Sequence, residues 1–288
     1  MPLDIVSVAD GPRMSLGVAL GLLVARKTSP DLAFNVAIPK DSEIGHDLAR
    51  DVLYRYTHSI YEIEAPIRVV DGHTYRIENK VNALAEFGSG PAVLLDSDTL
   101  IIRPMHPDYL LRASSTVVPE HGLHLYPWDR FFEGAKLQSP EMLIRLGSGE
   151  VGPVWFNAGL VATRNARAMG EAWIAMSDYI TQLDDVANIF PYLDQIALPL
   201  AIAHTQASRS VSYENVLDLV YNQNIFYWAS DQSYVNHGVM VHHHNRIKLV
   251  ERYCQGSLDW AASEEPQVRD LVEEMRQFDD FGKEDFGV

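Results

Sequence analysis

The sequence predicts an α/β fold in which a doubly wound, Rossmann-like central sheet is flanked by helices in a single domain. Three observations support this prediction. Strand and helix patterns alternate through the first hundred residues, an unbroken apolar run at 92–95 has the length of a buried strand, and 47% of the 288 residues are hydrophobic. A chain of this length and composition can bury a core of its own.

The N-terminal part of the chain gives the alternation one element at a time. Residues 5–9 form an apolar strand that stops at the turn residues Asp10, Gly11 and Pro12, and Ser15 is expected to cap the helix that follows. The later patterns in this part alternate in the same way. They predict strands at 34–38, within 60–70 and at 92–95, and helices at 44–56 and 77–87.

The second half of the chain is less regular. Residues 105–150 are rich in proline, glycine and aromatic residues and predict a long variable loop region. Beyond them, the patterns predict strands at 155–163 and 238–241 and helices at 166–183 and 193–203. From Ser263 onward nine acidic residues face three basic ones, which predicts a solvated helix and a frayed end. We expect one domain over 1–262, with halves at 1–104 and 105–262, and an acidic tail at 263–288.

Composition excludes several classes of protein. The 23 basic and 39 acidic residues give a net charge of −16, which argues against a general nucleic-acid-binding protein. A single cysteine, Cys254, excludes an internal disulfide framework and a cysteine-cluster metal site. The N-terminus lacks the basic segment of a signal peptide, and the longest apolar stretch, residues 16–25, is too short to cross a bilayer. We expect a cytoplasmic protein without a transmembrane segment.

The strongest local motif follows the apolar run at 92–95. Asp96, Ser97 and Asp98 place two carboxylates at positions i and i+2 at the end of a buried strand. Such a pair is unfavourable unless a cation lies between the two groups, and Mg²⁺ or Mn²⁺ prefers oxygen ligands of this kind. The same spacing also occurs in ordinary surface turns.

Five segments together resemble the family 8 glycosyltransferases, which are retaining enzymes with the GT-A fold. The resemblance implies that the central sheet is mixed rather than wholly parallel. Residues 79–84 and 96–100 are similar to the nucleotide-sugar-binding half of that family. WFNAGL at 155–160 is similar to its FN(A/S)G segment, and LDQ at 193–195 to its DQ pair. HHHNRIK at 242–248 is similar to its HxxGxxKPW motif, although Asn245 replaces the glycine and Leu-Val replaces Pro-Trp.

The resemblance implies a role for each matched residue. Asp96, Asp98 and His242 would bind Mn²⁺, or Mg²⁺, between the two phosphates of a nucleoside diphosphate sugar. Asp194 would hold sugar hydroxyls, and Gln195 would lie near the reacting carbon. Asp10, at the end of the first predicted strand, is expected near the base or ribose. The residues expected to contact the nucleotide or donor sugar are Asp10, Lys80, Asp96, Ser97, Asn157 and Lys248.

Several of these residues also have a structural interpretation. A histidine is more often a core residue than a ligand, and on a strand only His242 and His244 share a face. Asn157 has the chemistry to satisfy buried backbone, and Asp194 that of a helix cap. Lys80 would then be a solvent-facing charge on an amphipathic helix.

These observations favour a metal-dependent glycosyltransferase that transfers a hexose from a UDP-sugar to an acceptor with retention. The acceptor is a glycan, a small molecule or a protein. Two alternatives stay open. VLLDSDTLI at 93–101 also resembles the first motif of haloacid dehalogenase-like phosphatases, although Thr99 follows the second aspartate one position too early. A catalytically inactive domain that binds a nucleotide sugar is the other.

Overall fold

The computed structural model describes residues 3–120, 126–140, 143–145, 151–153, 155–183, 186–218, 221, 223–224, 238–244 and 246–278. The chain divides into two units. The first contains residues 1–63, 94–106 and 219–288, and the second contains residues 64–93 and 107–218. Each unit is therefore built from separate stretches of the sequence. The boundary at 93/94 falls within strand Ala92–Leu95.

Strands and helices alternate along the chain as the N-terminal pattern predicts. In chain order they are β1 (Leu3–Val8), α1 (Gly11–Thr28), β2 (Leu32–Pro39), α2 (Asp47–Tyr56), β3 (Ser59–Ile63), β4 (Arg68–Val70), β5 (His73–Tyr75), α3 (Asn79–Phe87), β6 (Ala92–Leu95), β7 (Thr99–Ile101), α4 (Pro107–Leu110), β8 (Ser115–Glu120), α5 (Trp128–Gly134), β9 (Leu143–Arg145), β10 (Val151–Pro153), β11 (Trp155–Thr163), α6 (Ala166–Thr181), α7 (Leu193–Thr205), β12 (Gln223–Asn224), β13 (Met240–His242), α8 (Ile247–Ala262) and α9 (Gln267–Met275).

The first unit contains a parallel sheet with the strand order β3-β2-β1-β6. Strands β1 and β2 pair in parallel, as do β2 and β3, and the residues of β1 and β2 are mostly buried. Parallel apolar strands joined by helical connections are typical of βαβ units. A second sheet has the order β12-β13-β7, in which β7 is antiparallel to β13.

Helix α1 packs closely against the chain that follows β6. A Cβ atom on Gly17 would overlap the carbonyl oxygen of Ser97, and one on Gly21 would lie 2.8 Å from the carbonyl oxygen of Thr99. Glycine at these two positions lets the helix approach the backbone around Asp98. The spacing of four residues places both glycines on one face of α1.

The second unit contains the strand order β6-β11-β8. Strands β11 and β8 are antiparallel, and their register shifts between Asn157 and Val161, which marks a β-bulge. Helices α3, α6 and α7 pack in series, and α7 also contacts β11. Together the two units have the mixed α/β architecture that the sequence predicts.

Three local expectations differ from the structure. Residues 105–150 contain β8 and α5 rather than only loop. Helix α1 begins at Gly11, because Pro12 suits the first turn of a helix, so Ser15 lies inside it and donates to the carbonyl oxygen of Gly11 at 2.7 Å. Helix α9 buries one face, formed by Val268, Leu271, Val272 and Met275, and packs on α1.

Across the ranges given above, none of the helices combines the length and the apolar character needed to cross a membrane.

Candidate functional site

Strand pairing in the first unit brings His242 to the aspartate motif. The turn between β6 and β7 carries Asp96, Ser97 and Asp98, and Thr99 pairs directly with His242 across β7 and β13. The backbone N–H of His243 donates to the carbonyl oxygen of Asp98 at 2.9 Å. Residues far apart in sequence are therefore held together by main-chain hydrogen bonds.

The side chains form a compact cluster. His242 Nε2 lies 3.0 Å from Asp98 Oδ1 and 4.0 Å from Asp96 Oδ2. His244 has a left-handed backbone, with φ of 48°, and its ring stacks on that of His242 at a centroid distance of 4.0 Å. Ligand atoms of Asp98, His242 and His244 all lie within 4.8 Å of one another. These three residues form a candidate metal-binding group, with Asp96 beside it.

Burial and neighbouring charges shift the pKa values of three residues in and beside this cluster. Burial alone would raise the pKa of the Asp98 carboxyl, but the charge and hydrogen bond of His242 hold that pKa well below its ordinary value. Burial lowers the pKa of His243 to about 4 and that of His244 to about 3, the latter with a contribution from His242. An ionised carboxylate beside the neutral imidazole of His244 can ligate a divalent cation, and a cation at this place would take over the charge that His242 supplies to Asp98.

The first unit contains three further candidates that the structure describes. Asp10 occupies the N-cap position of α1, without a side-chain capping hydrogen bond. Lys248 is exposed in the first turn of α8, where the helix dipole favours anions. Ser97 is partly buried in the β6–β7 turn. Asn245 lies outside the described residues.

The second unit joins Lys80 to Asp194. Lys80 Nζ lies 2.8 Å from Asp194 Oδ2, and the two side chains are only 10% and 6% exposed. The Tyr75 hydroxyl donates to Asp194 Oδ1 at 2.9 Å and accepts from the Asp194 backbone N–H at 2.9 Å. Trp173 Nε1 donates to the Asp194 carbonyl oxygen at 2.9 Å. Asp194 is therefore held at its carboxylate and its main chain.

This geometry replaces two of the structural interpretations. Asp194 is the second residue of α7, and its carboxylate bonds Tyr75 and Lys80 rather than capping the helix. Lys80 is a buried partner of a carboxylate, not a solvent-facing charge. Burial, together with the charge of Asp194, raises the pKa of Tyr75 well above its ordinary value, so Tyr75 stays a neutral donor.

A second polar group in this unit contains Asn157 and Gln195. Asn157 Nδ2 donates to Glu120 Oε2 at 2.9 Å, and Gln195 Nε2 lies 3.4 Å from the same oxygen. Trp155 Nε1 donates to Gln195 Oε1 at 2.6 Å. The two amides of the family-like motifs thus meet at one carboxylate.

Sequence patterns therefore identified residues that the fold gathers into two groups, one in each unit. The first contains Asp96, Asp98 and His242, and the second contains Lys80 and Asp194 with Asn157 and Gln195. Sequence reasoning did not select Tyr75 or Glu120, which have no motif of their own. A signal for Glu120 was its place at the end of a β-branched run, Thr116–Val118, that ends in Pro-Glu.

A comparison with protein-family models decides the family. A model described as the Rhodobacterales glycosyltransferase domain matches residues 5–206. The chain belongs to this family. This glycosyltransferase matches no curated protein.

Solved structures support the fold of this glycosyltransferase. It is similar to the galactosyltransferase LgtC, crystallised with donor and acceptor sugar analogs, with 16% identity, a TM-score of 0.53 and coverage of 94% of this chain and 96% of that one. GlyE of Streptococcus pneumoniae has 13% identity and a TM-score of 0.51, over 94% of this chain and 64% of that one.

The bifunctional glycosyltransferase WbbM has 11% identity and a TM-score of 0.53, over 94% of this chain. The chain spans about half, 51%, of the length of WbbM. At these identities the likeness concerns the fold alone, which is of the GT-A type. The expected resemblance to family 8-like glycosyltransferases is confirmed.

Proposed function

We propose that this glycosyltransferase transfers a hexosyl group from a nucleoside diphosphate sugar, most simply a UDP-sugar, to an acceptor hydroxyl with retention of configuration. The transfer that we propose requires Mn²⁺ or Mg²⁺. The observation that carries it is the contact of Asp98 with His242 at 3.0 Å, in a cluster with Asp96 and His244 at the end of a buried strand. Membership of the glycosyltransferase family supports this use of the cluster.

Asp96, Asp98 and His242 would hold the metal in this proposal, and His244 adds a further imidazole at the same place. A bound divalent cation offsets the negative charge that builds up on a leaving diphosphate. Mixed carboxylate and imidazole ligands suit Mn²⁺ better than Ca²⁺. Lys248, exposed at the start of α8, would add positive charge for the same phosphates.

The residues of the second unit would serve the sugar. Asp194 would orient hydroxyl groups of the donor, with Tyr75 and Lys80 holding its carboxylate in place. Lys80, paired with Asp194, would also contribute positive charge for the donor. In the retaining reaction that we propose, the acceptor attacks on the face that the diphosphate vacates. The diphosphate then takes the acceptor's proton.

Calorimetric titration with UDP, with and without Mn²⁺, tests the metal-dependent nucleotide site. The wild type is expected to bind UDP in the presence of Mn²⁺, and Asp98→Asn to lose at least about tenfold in affinity because a charged ligand is removed. Asp31→Asn, a change at an exposed position of the same unit, is the matched control. A UDP affinity that is the same without Mn²⁺ and in Asp98→Asn would contradict the proposal.

Transfer and its stereochemistry need a second experiment. UDP-glucose and UDP-galactose are incubated with the enzyme, Mn²⁺ and simple sugar acceptors, and the anomeric coupling of the product is read by proton NMR. An axial product from an axial donor is expected. A product with inverted configuration would contradict the proposed retention. Release of phosphate from a phosphomonoester, without sugar transfer, would favour the phosphohydrolase alternative.

A further inference from the structure

The side-chain amide of Gln195 has a fixed orientation. The indole N–H of Trp155 is a donor that cannot accept, so the atom it faces at 2.6 Å must be the amide oxygen. Trp155 is only 2% exposed and stands in an aromatic cluster with Tyr126, Trp128 and Tyr192. The indole therefore cannot turn away from Gln195 without repacking several rings.

Asn157 is oriented by the same logic. The backbone N–H of Gly159, within the β-bulge of β11, donates to Asn157 Oδ1 at 2.7 Å. A backbone N–H also cannot accept, so the Asn157 nitrogen points the other way, to Glu120 at 2.9 Å. The backbone N–H of Gly159 thus determines that the nitrogen end of the Asn157 amide faces Glu120.

Glu120 is the group on which both amide nitrogens converge. Its Oε2 lies 2.9 Å from Asn157 Nδ2 and 3.4 Å from Gln195 Nε2. An ionised carboxylate only accepts, which agrees with both orientations. Glu120 pairs with Trp155 across β8 and β11, so the strand register places the carboxylate and the indole on either side of Gln195.

We propose that Glu120 and Trp155 are positioning residues that make Gln195 a hydrogen-bond donor to the glycosyl substrate. This inference rests on the proposed function and assigns a direction to Gln195. The amide oxygen is held against the indole, and a hydrogen bond donated to that oxygen reduces its electron density. Gln195 therefore offers N–H to a hydroxyl or ring oxygen of the sugar, and its oxygen does not act as a nucleophile.

Nuclear magnetic resonance of the ligand-free protein tests the orientation alone. The indole signal of Trp155 is assigned from its loss in Trp155→Phe, and it is expected to move upfield in Gln195→Met, which removes the acceptor. In Glu120→Gln, the side-chain amide protons of Gln195 are expected to exchange faster with deuterium. An indole chemical shift that is unchanged in Gln195→Met would overturn the proposal, whichever sugar nucleotide the enzyme uses.

Kinetics test the direction of the contact. Hydrolysis of UDP-glucose and UDP-galactose with Mn²⁺ is measured at pH 8.5. Glu120 raises the pKa of a carboxyl placed at position 195, but pH 8.5 lies far above the ordinary value of about 4.3, so that this carboxyl is ionised and cannot donate. Gln195→Met and Gln195→Glu are both expected to lose about tenfold or more in kcat, the effect of losing a hydrogen bond in the transition state. Full activity of Gln195→Glu would mean that the side-chain oxygen at position 195, and not an N–H group, contacts the substrate.

The positioning role is separated from a structural one by the affinity for UDP. Glu120→Gln is expected to lower kcat about tenfold while the Kd of UDP with Mn²⁺ stays unchanged, because UDP carries no glycosyl group. Glu133→Gln, at an exposed position of α5, is the matched control and keeps both values. Equal losses in kcat and in UDP affinity would reduce Glu120 to a structural residue. If the wild type hydrolyses neither sugar nucleotide, the donor proposal fails while the resonance experiment still decides the orientation.

Discussion

Asp194 is bonded at every polar group that it carries. Its two carboxylate oxygens meet Tyr75 and Lys80, and its main chain bonds Tyr75 and Trp173. Removing one partner of a buried ion pair is costly because the other charge stays behind without water. Lys80 therefore stabilises the second unit in addition to any contact with a substrate.

Replacing Lys80 with methionine measures this contribution. We expect Lys80→Met to lower the free energy of unfolding by about 3–5 kcal/mol, since Asp194 would stay buried and charged. Adding Asp194→Asn to that variant is expected to recover part of the loss. Lys136→Met, at an exposed lysine of the same unit, serves as the control in urea unfolding. A loss no greater than in the control would show that the pair is energetically neutral.

His244 provides a second residue-level prediction. Its ligand atoms lie with those of Asp98 and His242, although the motif at 242–248 assigns the metal to His242 alone. We expect His244→Ala to weaken Mn²⁺ binding about tenfold or more, the effect of changing a residue at a metal centre. Titration of Mn²⁺ followed by electron paramagnetic resonance measures this change. His58→Ala, at an exposed histidine of the first unit, should bind as the wild type does.

At the scale of elements, the approach of α1 to the β6–β7 turn depends on Gly17. A methyl group there would overlap the Ser97 carbonyl oxygen, and backbone must move to make room. We expect Gly17→Ala to destabilise the protein by about 1–3 kcal/mol and to weaken UDP binding with Mn²⁺, because Asp98 follows Ser97 directly.

Gly256→Ala is the matched control for that variant. Gly256 lies inside α8, and a Cβ atom there would meet nothing within 4 Å. Alanine is the better helix former, so this change is expected to stabilise the protein by about 0.5–1 kcal/mol. Thermal unfolding of both variants gives the comparison. Equal effects would mean that the contact between α1 and the turn tolerates a methyl group.

The elements also explain which features the sequence could predict. Apolar runs and periodicity located β1, β6 and α3, and the aspartate motif followed β6 as expected. The pattern missed β8 and α5, because proline and aromatic residues in a strand or helix resemble those of a loop until packing is known. The buried face of α9 was missed because its many acidic residues dominate the composition.

Sites were predictable where a motif carried them and not where pairing across the fold did. Asp98 and His242 follow motifs with a known order. The approach of His244 depends on a left-handed backbone at one residue, and that of Glu120 on the register between β8 and β11. Neither geometry can be predicted from the spacing of residues along the chain.

At the scale of the whole molecule, charge affects how metal binds. The net charge of −16 attracts divalent cations before any ligand contacts them. Salt screens this attraction, since the Debye length falls from about 30 Å at 0.01 M to about 8 Å at 0.15 M. We expect the Kd of Mn²⁺ to rise several-fold over this range of potassium chloride. An unchanged Kd would mean that the local ligands alone determine the affinity.

The pairing of β13 with β7 matters to anyone who designs an expression vector. The family match ends at residue 206, whereas β13, with His242, and the helices α8 and α9 follow it. A fragment trimmed to the matched region would lose the partner strand of β7 and uncover the side of α1 on which α8 and α9 pack. Such a fragment is expected to aggregate during purification, so useful material requires a fragment that extends at least through α9.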